Sequence, residues 1–377
     1  MPTRRDFLKQ TALTCASCAG AGRAWSAPGA RPASGPVPDE HAPVEARYYE
    51  KQEDLRIVCR LCPRECVVAD RERGYCGVRE NRGGTYYTLV HSNICAEGID
   101  PVEKKPVFHF LPGTRTYSIA TAGCNIECKF CQNWEISQFR PEQVRSLRRT
   151  PDDVARIAKS RRCASIAFTY SEPVIFYEYM VDCAVAARAA GIKSVMVSNG
   201  YIRPEPLGEL VKVLDAVKID LKAFTDKFYR ELCSGTLAPV LETLKILKES
   251  EIWFEIVVLL IPSWNDSSEE ITALCDWVAE NLGDSVPIHF TRFHPTYKIK
   301  HIARTPLERL ENAYEIARKG GLKFPYIGNV EGHKGEHTHC PGCSKALISR
   351  IGFKIIEDRI KKDQCPYCSK KIPGIWK

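Results

Sequence analysis

The chain has 377 residues, 44% of them hydrophobic, with a formal net charge of +8, which is long enough for one large domain with appendages or for two ordinary ones. Basic and acidic side chains are interspersed, without the run of like charge that marks a nucleic-acid-binding tail, so the surplus reads as solubility and attraction to anionic ligands. No stretch reaches the roughly 18 apolar residues of a membrane-spanning helix, and the eighteen cysteines fall mostly in clusters rather than at disulfide-like separations, a pattern that points to metal.

In chain order, residues 1–27 open with Arg4 and Arg5 ahead of Asp6, Phe7, Leu8 and Lys9. A short, weakly apolar stretch containing Cys15 and Cys18 follows, then small residues from Ala24 to Ala27. This is the layout of a twin-arginine signal, which predicts export to the periplasm in folded form. The alternative is an unprocessed basic arm on a cytoplasmic protein. Residues 28–50, rich in Pro, Ala and Gly, read as a linker.

Residues 51–111 form a Cys-rich module, VCRLCPRECVVADRERGYCGVREN, in which Cys59, Cys62, Cys66 and Cys76 sit among few apolar residues. A zinc ion or an auxiliary iron–sulfur cluster would supply the missing stability, and a pair of disulfides is the remaining option. The polar stretch DPVEKKPVFHF after it places Glu103, Lys104 and Lys105 either in a solvated loop or at the mouth of a site.

Residues 112–332 alternate between two patterns. Short β-branched runs (SIATAG, SIAFTYSE, SVMVSNGY, DAVKIDLK, WFEIVVLLIP, IHFTRFHP and FPYIGNV) predict buried strands. Segments of helical period lie between them, one opened by Pro151, Asp152 and Asp153. The alternation predicts an α/β fold, a partial TIM-like parallel (β/α) barrel, with its chemistry at the carboxyl ends of the strands. Cys95, Cys163, Cys183, Cys233 and Cys275 occur singly in these patterns and read as small core residues. Residues 333–377 carry two CPxC knuckles, Cys340 with Cys343 and Cys365 with Cys368, around a charged hairpin. They predict a closed, structural zinc-ribbon-like site.

The stretch GCNIECKFCQNW follows the first of these strands and puts Cys124, Cys128 and Cys131 on one loop at the mouth of the barrel. Three thiolates fill neither a tetrahedral zinc site nor a cubane, and the spacing favours an iron–sulfur cluster with one iron open to an outside ligand. With Phe130 this pattern resembles the radical S-adenosylmethionine (SAM) enzymes. The resemblance implies that Cys124, Cys128 and Cys131 hold a catalytic [4Fe–4S] cluster, that SAM chelates its fourth iron, and that Phe130 lies near the adenine. It further implies one-electron cleavage of SAM to a 5′-deoxyadenosyl radical, which abstracts hydrogen from a substrate. TYSEP is similar to the family's Gly-Gly-Glu-Pro segment, with Glu172 at the position that meets the SAM ammonium and Tyr170 and Ser171 in place of two glycines. Ser171, Asn199 of SNGY, Asp220 and Lys222 of DLK, and His294 of RFHP are similar to residues lining the SAM pocket.

From about Ile57 to the end, the order of modules resembles the AmmeMemoRadiSam-system radical SAM enzymes, relatives of the pyruvate formate-lyase activating enzymes. The resemblance implies a low-potential electron donor such as flavodoxin or ferredoxin, and Memo-type partner proteins. The substrate, a small molecule or a protein, is left open. Three readings follow: a radical SAM enzyme acting on such a substrate, a glycyl-radical-enzyme activase, and a non-catalytic iron–sulfur carrier. The unbroken CxxxCxFC pattern with Glu172 and Asn199 favours catalysis.

Overall fold

The computed structural model describes residues 43–376, so the twin-arginine signal and most of the linker lie outside the described residues. At its centre is an eight-stranded sheet: β1 Ala96–Pro101, β2 Arg115–Ala120, β3 Ser165–Phe168, β4 Lys193–Ser198, β5 Ala216–Asp220, β6 Trp253–Leu260, β7 Ile288–Arg292 and β8 Pro325–Gly328. The strands lie side by side in chain order, with β2 to β8 parallel and β1 antiparallel to β2. All seven strands predicted from the β-branched runs are present. The edge strand β1 is the addition, because its AEGIDP sequence carries no β-branched run. Among the described residues β1 and β8 each pair with a single neighbour, so the barrel is partial.

Six helices link the parallel strands: α1 Pro151–Ser160, α2 Tyr177–Ala189, α3 Pro204–Val213, α4 Ala238–Glu249, α5 Ser268–Leu282 and α6 Leu307–Lys319. Their starts follow local chemistry. At α1 the Thr150 hydroxyl accepts from the Asp153 N–H and the Asp153 carboxylate accepts in return from the Thr150 N–H, each at 3.2 Å, with Pro151 next. At α5 the Ser267 hydroxyl accepts from the Glu270 N–H. The inner strands are buried almost throughout, as expected of a parallel sheet covered on both faces. Among the described residues no helix is long and apolar enough to cross a membrane.

The amino end of the barrel is plugged. Glu255 on β6 is fully buried and accepts from the Phe108 and His109 N–H groups at 2.9 and 2.8 Å and lies 2.7 Å from His289 Nε2. The chain's last residues add to the same place, with Ile375 bonded through its backbone to His109 and Leu111. Strands β9 Ala346–Ile351 and β10 Lys354–Asp358 form the C-terminal hairpin. Buried Arg350 of β9 donates to the carbonyls of Phe108 and Glu336, which docks the hairpin on the plug. The opposite end of the barrel is thereby left for chemistry.

The Cys-rich segment shares the main core through Ile57, Leu61, Val68, Val78 and Tyr86. It is also tied by charge. Arg79 and Glu178 of α2, with side chains 1% and 3% exposed, form a two-pronged ion pair at 2.7 and 2.6 Å. Removing one partner of such a buried pair strands the other charge out of water. Glu178→Gln should therefore lower the free energy of unfolding by about 3 kcal/mol, read by urea denaturation under anaerobic conditions. An unchanged midpoint would show that the pair carries no such burden.

Candidate active site

The loop after β2 is shaped from both sides. Gly123 has φ +94°, and a Cβ there would come within 2.6 Å of Val78 Cγ1 and 2.8 Å of the Cys76 carbonyl, so only glycine lets the Cys-rich segment approach. On the other side the Glu127 and Lys129 N–H groups donate to the carbonyls of Cys233 and Leu232 at 2.9 and 2.8 Å. Those carbonyls end a π-helical turn, Tyr229–Cys233. Arg64 reaches in from the Cys-rich segment and donates through Nε to the Asn125 carbonyl at 2.9 Å. The three thiols thus sit on a loop held at its start, middle and end.

Burial, then the Glu172 carboxylate and the Cys128 and Cys131 thiols, push the Cys124 thiol well up. Burial likewise raises Cys131, whose Sγ lies 3.2 Å from Ser137 Oγ. Cys128 goes the other way, drawn down by a hydrogen bond from the Cys233 thiol. Three crowded sulfurs beside a carboxylate, two of them resisting ionisation, are a donor set that a multiply charged metal centre satisfies, because coordination replaces the protons.

Strand ends supply the wall. Glu172, just after β3 and 3% exposed, accepts from Ser198 Oγ at 2.7 Å, the Asn199 N–H at 2.8 Å and the Val174 N–H at 3.1 Å. Asn199, after β4, donates through Nδ2 to Asn125 Oδ1 at 2.9 Å and so couples this wall to the thiol loop. Ser171 donates to the Thr121 carbonyl at 2.7 Å. Tyr170, where the resembled segment has glycine, holds φ +67°. That left-handed backbone costs a tyrosine about 1–3 kcal/mol. It is held by Tyr170 Oη donating to Asp100 at 2.6 Å and Asn133 Nδ2 donating to its carbonyl at 2.9 Å. The glycine conformation survives without the glycine.

At the next strand end Asp220 is paired with Lys218, and with Lys222 at 2.8 Å. A matching group, Asp100 with Lys104 at 2.8 Å and Lys105 at 2.6 Å, stands on the β1 side. Burial takes Lys105 down to about 8 despite the Asp100 contact. These elements enclose a cavity of about 460 Å³ lined by all three thiols, Phe130, Ser171, Glu172, Asn199, Asp220 and Lys222. Lys104 and Lys105 line it too, which places the polar stretch at the mouth of the site, whereas Glu103 is turned away and accepts from the Gly113 N–H. His294 is exposed and lies outside the lining, because the chain turns outward beyond Phe293.

Two features escaped the sequence. Cys233 reads there as core filler and is fully buried, yet it also lies near enough to Cys128 to draw that thiol's pKa down; its isolation in the chain hides a proximity across more than a hundred residues. Lys218 carries no motif and reaches Asp220 only because both face inward on β5. Elsewhere, Cys340, Cys343, Cys365 and Cys368 bring their sulfurs within 4.8 Å of one another, a set able to hold a metal ion. Among the described residues no other group of three or more such ligands is this close.

A parallel partial barrel with three thiols on the first strand's loop and a carboxylate and amide at the next two strand ends defines a class, and comparison with known proteins agrees. Residues 118–275 match the radical SAM superfamily. The chain is 44% identical over 330 residues to an uncharacterised protein of Methanocaldococcus jannaschii, covering 87% of this chain and 98% of that one. It belongs to the radical SAM superfamily, and membership implies a [4Fe–4S] cluster and SAM. It is also 26% identical over 221 residues to pyruvate formate-lyase 1-activating enzyme of Escherichia coli K12, covering 56% and 87% of the two chains. Among solved structures, a radical SAM methyltransferase from Sphaerobacter thermophilus aligns with a TM-score of 0.47 at 17% identity, over 60% of this chain and 71% of that one.

Burial pushes the Glu172 carboxyl up to about 7 from 4.5, against the pull of its three donors. With the folded value above the unfolded one, the retained proton contributes stability that is complete below pH 4.5 and lost as the pH rises through about 7. Melting temperatures of cluster-free wild type should therefore fall more between pH 5 and pH 8 than those of Glu172→Gln. Parallel curves for the two proteins would refute this.

Proposed function

We propose that the protein reductively cleaves SAM at a [4Fe–4S] cluster held by Cys124, Cys128 and Cys131 and abstracts hydrogen from a substrate admitted through the Lys104–Lys105 side of the cavity. The observation that carries this is the enclosure of the three thiols, Glu172 and Asn199 in one cavity of about 460 Å³. When bound, the cluster and SAM supply one-electron cleavage of the sulfonium to a 5′-deoxyadenosyl radical. The chain's own residues do the positioning. Glu172, once ionised, offers carboxylate oxygens to the SAM ammonium, and Asn199 keeps that carboxylate and the thiol loop in one frame. Phe130, 4% exposed, presents an apolar face for the adenine. The Asp220–Lys222 pair gives polar contacts at the far wall, and buried Phe130 and Val257 help to exclude water.

The likeness to pyruvate formate-lyase 1-activating enzyme favours a second reading, an activase whose substrate is a protein that becomes a glycyl radical. A low-potential ferredoxin or flavodoxin is the reductant in either case, and association with Memo-type proteins is what the resemblance to the AmmeMemoRadiSam-system enzymes implies. The two readings separate on whether a partner protein acquires an organic radical under electron paramagnetic resonance. We further propose that the C-terminal thiols hold zinc as a structural centre and that residues 1–27 direct export of the folded protein.

Any one of Cys124→Ala, Cys128→Ala or Cys131→Ala should abolish release of 5′-deoxyadenosine with SAM and dithionite while leaving circular dichroism unchanged. Activity surviving in any of the three would remove the assignment. Cys365→Ser should lose bound zinc and lower the melting temperature while 5′-deoxyadenosine release persists at permissive temperature. Loss of the SAM-responsive cluster spectrum in that variant would contradict a purely structural centre.

A further inference from the structure

The four thiols of the Cys-rich segment are not spent in the site just described. Cys59 and Cys62 are buried, at 6% and 8% exposure, and Cys66 and Cys76 are half-buried. All four are free, and the Cys66 sulfur accepts the backbone N–H of Tyr75 at 3.4 Å. Such N–H groups spread the charge of metal thiolates and have little to do for protonated thiols. The same arrangement recurs in the C-terminal knuckles, where Gly342 and Tyr367 donate to Cys340 and Cys365.

A second and independent feature is Tyr86. It is fully buried, and its hydroxyl is, among the described residues, one of the few buried polar side-chain atoms without a hydrogen-bond partner. It is wedged over Gly74: a Cβ on that glycine would fall 2.4 Å from Tyr86 Oη and 3.8 Å from Cys66 Sγ. A hydroxyl orphaned in protein costs about 1–3 kcal/mol, and this one is kept beside the sulfurs by a residue with no side chain. A metal-bound sulfide or thiolate is the acceptor that would satisfy it. Arg79 adds positive charge on the same side, with Glu178 behind it.

Spacing selects the class of metal. A tetrahedral zinc ion with bonds of about 2.3 Å needs its sulfurs roughly 4 Å apart. The C-terminal set meets that closeness, whereas neither the Cys124, Cys128 and Cys131 triad nor this quartet draws its sulfurs within 4.8 Å. The quartet lacks the closeness of a zinc set, and the orphaned Tyr86 hydroxyl beside it suits a centre that carries bridging sulfide. We propose that Cys59, Cys62, Cys66 and Cys76 hold a second, fully ligated [4Fe–4S] cluster, with Tyr86 as hydrogen-bond donor to its sulfur. Arg64, between two of these cysteines, donates to the loop of the first cluster at 2.9 Å, and the Cys76 carbonyl abuts Gly123. The two centres are thus immediate neighbours through the backbone.

The test uses the full chain with Cys124, Cys128 and Cys131 all replaced by Ala, purified anaerobically with iron and sulfide supplied. It should retain about four irons and four sulfides per chain, with a reduced-state paramagnetic signal that SAM does not alter. Adding Cys62→Ser should remove that iron. Tyr86→Phe in the same background should keep the iron and shift the midpoint potential of the remaining centre to a more negative value. Absence of iron in the triple variant overturns the proposal, whether its place is taken by a second zinc or by disulfides. Iron that persists after Cys62→Ser, or a potential indifferent to Tyr86→Phe, overturns the ligand set or the donor respectively. The fate of SAM cleavage in wild type is a separate readout, so failure here leaves the first cluster's assignment standing.

Discussion

The constraint on which the molecule depends is the crowding of three sulfurs on a single loop beside a carboxylate. Protonated thiols gain little from that position, and ionised ones repel one another and Glu172. The loop therefore has to be held by something other than its own thiols, and the fold surrounds it with fixed partners. Cys233 and Leu232 accept two of its N–H groups, Arg64 takes the Asn125 carbonyl, and Asn199 takes the Asn125 side chain. Positioning is supplied before any cofactor arrives, which keeps the reacting geometry from depending on the cofactor's own binding energy.

The same logic explains why the Cys-rich segment is not a detached appendage. It provides Val78 and the Cys76 carbonyl against Gly123, and it is pinned to α2 by the buried Arg79–Glu178 pair. At the opposite end, Glu255 gathers backbone and imidazole donors, and Arg350 fastens the C-terminal hairpin to that plug. Each appendage serves an end of the barrel. One frames the reactive loop, and the other closes the floor.

Charge in the cavity is arranged in two clusters, each with two ammonium groups on one carboxylate and so a surplus of one positive charge. Lys218, Asp220 and Lys222 form one, and Asp100, Lys104 and Lys105 another. Tyr170 ties the second group to the thiol loop through Asp100 and Asn133, at the expense of a left-handed backbone that a glycine would hold more readily. A local rule is broken there in exchange for a hydroxyl no glycine could offer. Strain of this kind concentrates where side chains must meet a ligand.

By itself the sequence determined the alternation of strands and helices, the loop that bears Cys124, Cys128 and Cys131, and the closeness of the two C-terminal knuckles. All of these are written over short stretches, where residue period and spacing act directly on the backbone. The tertiary structure alone decided that β1 completes the sheet, that Cys233 comes near enough to Cys128 to lower its pKa, that Lys218 shares Asp220 with Lys222, and that His294 lies outside the cavity lining. Such contacts arise from how strand ends converge after the sheet has twisted and closed in part. No local pattern records which distant side chains will then find themselves within hydrogen-bonding reach.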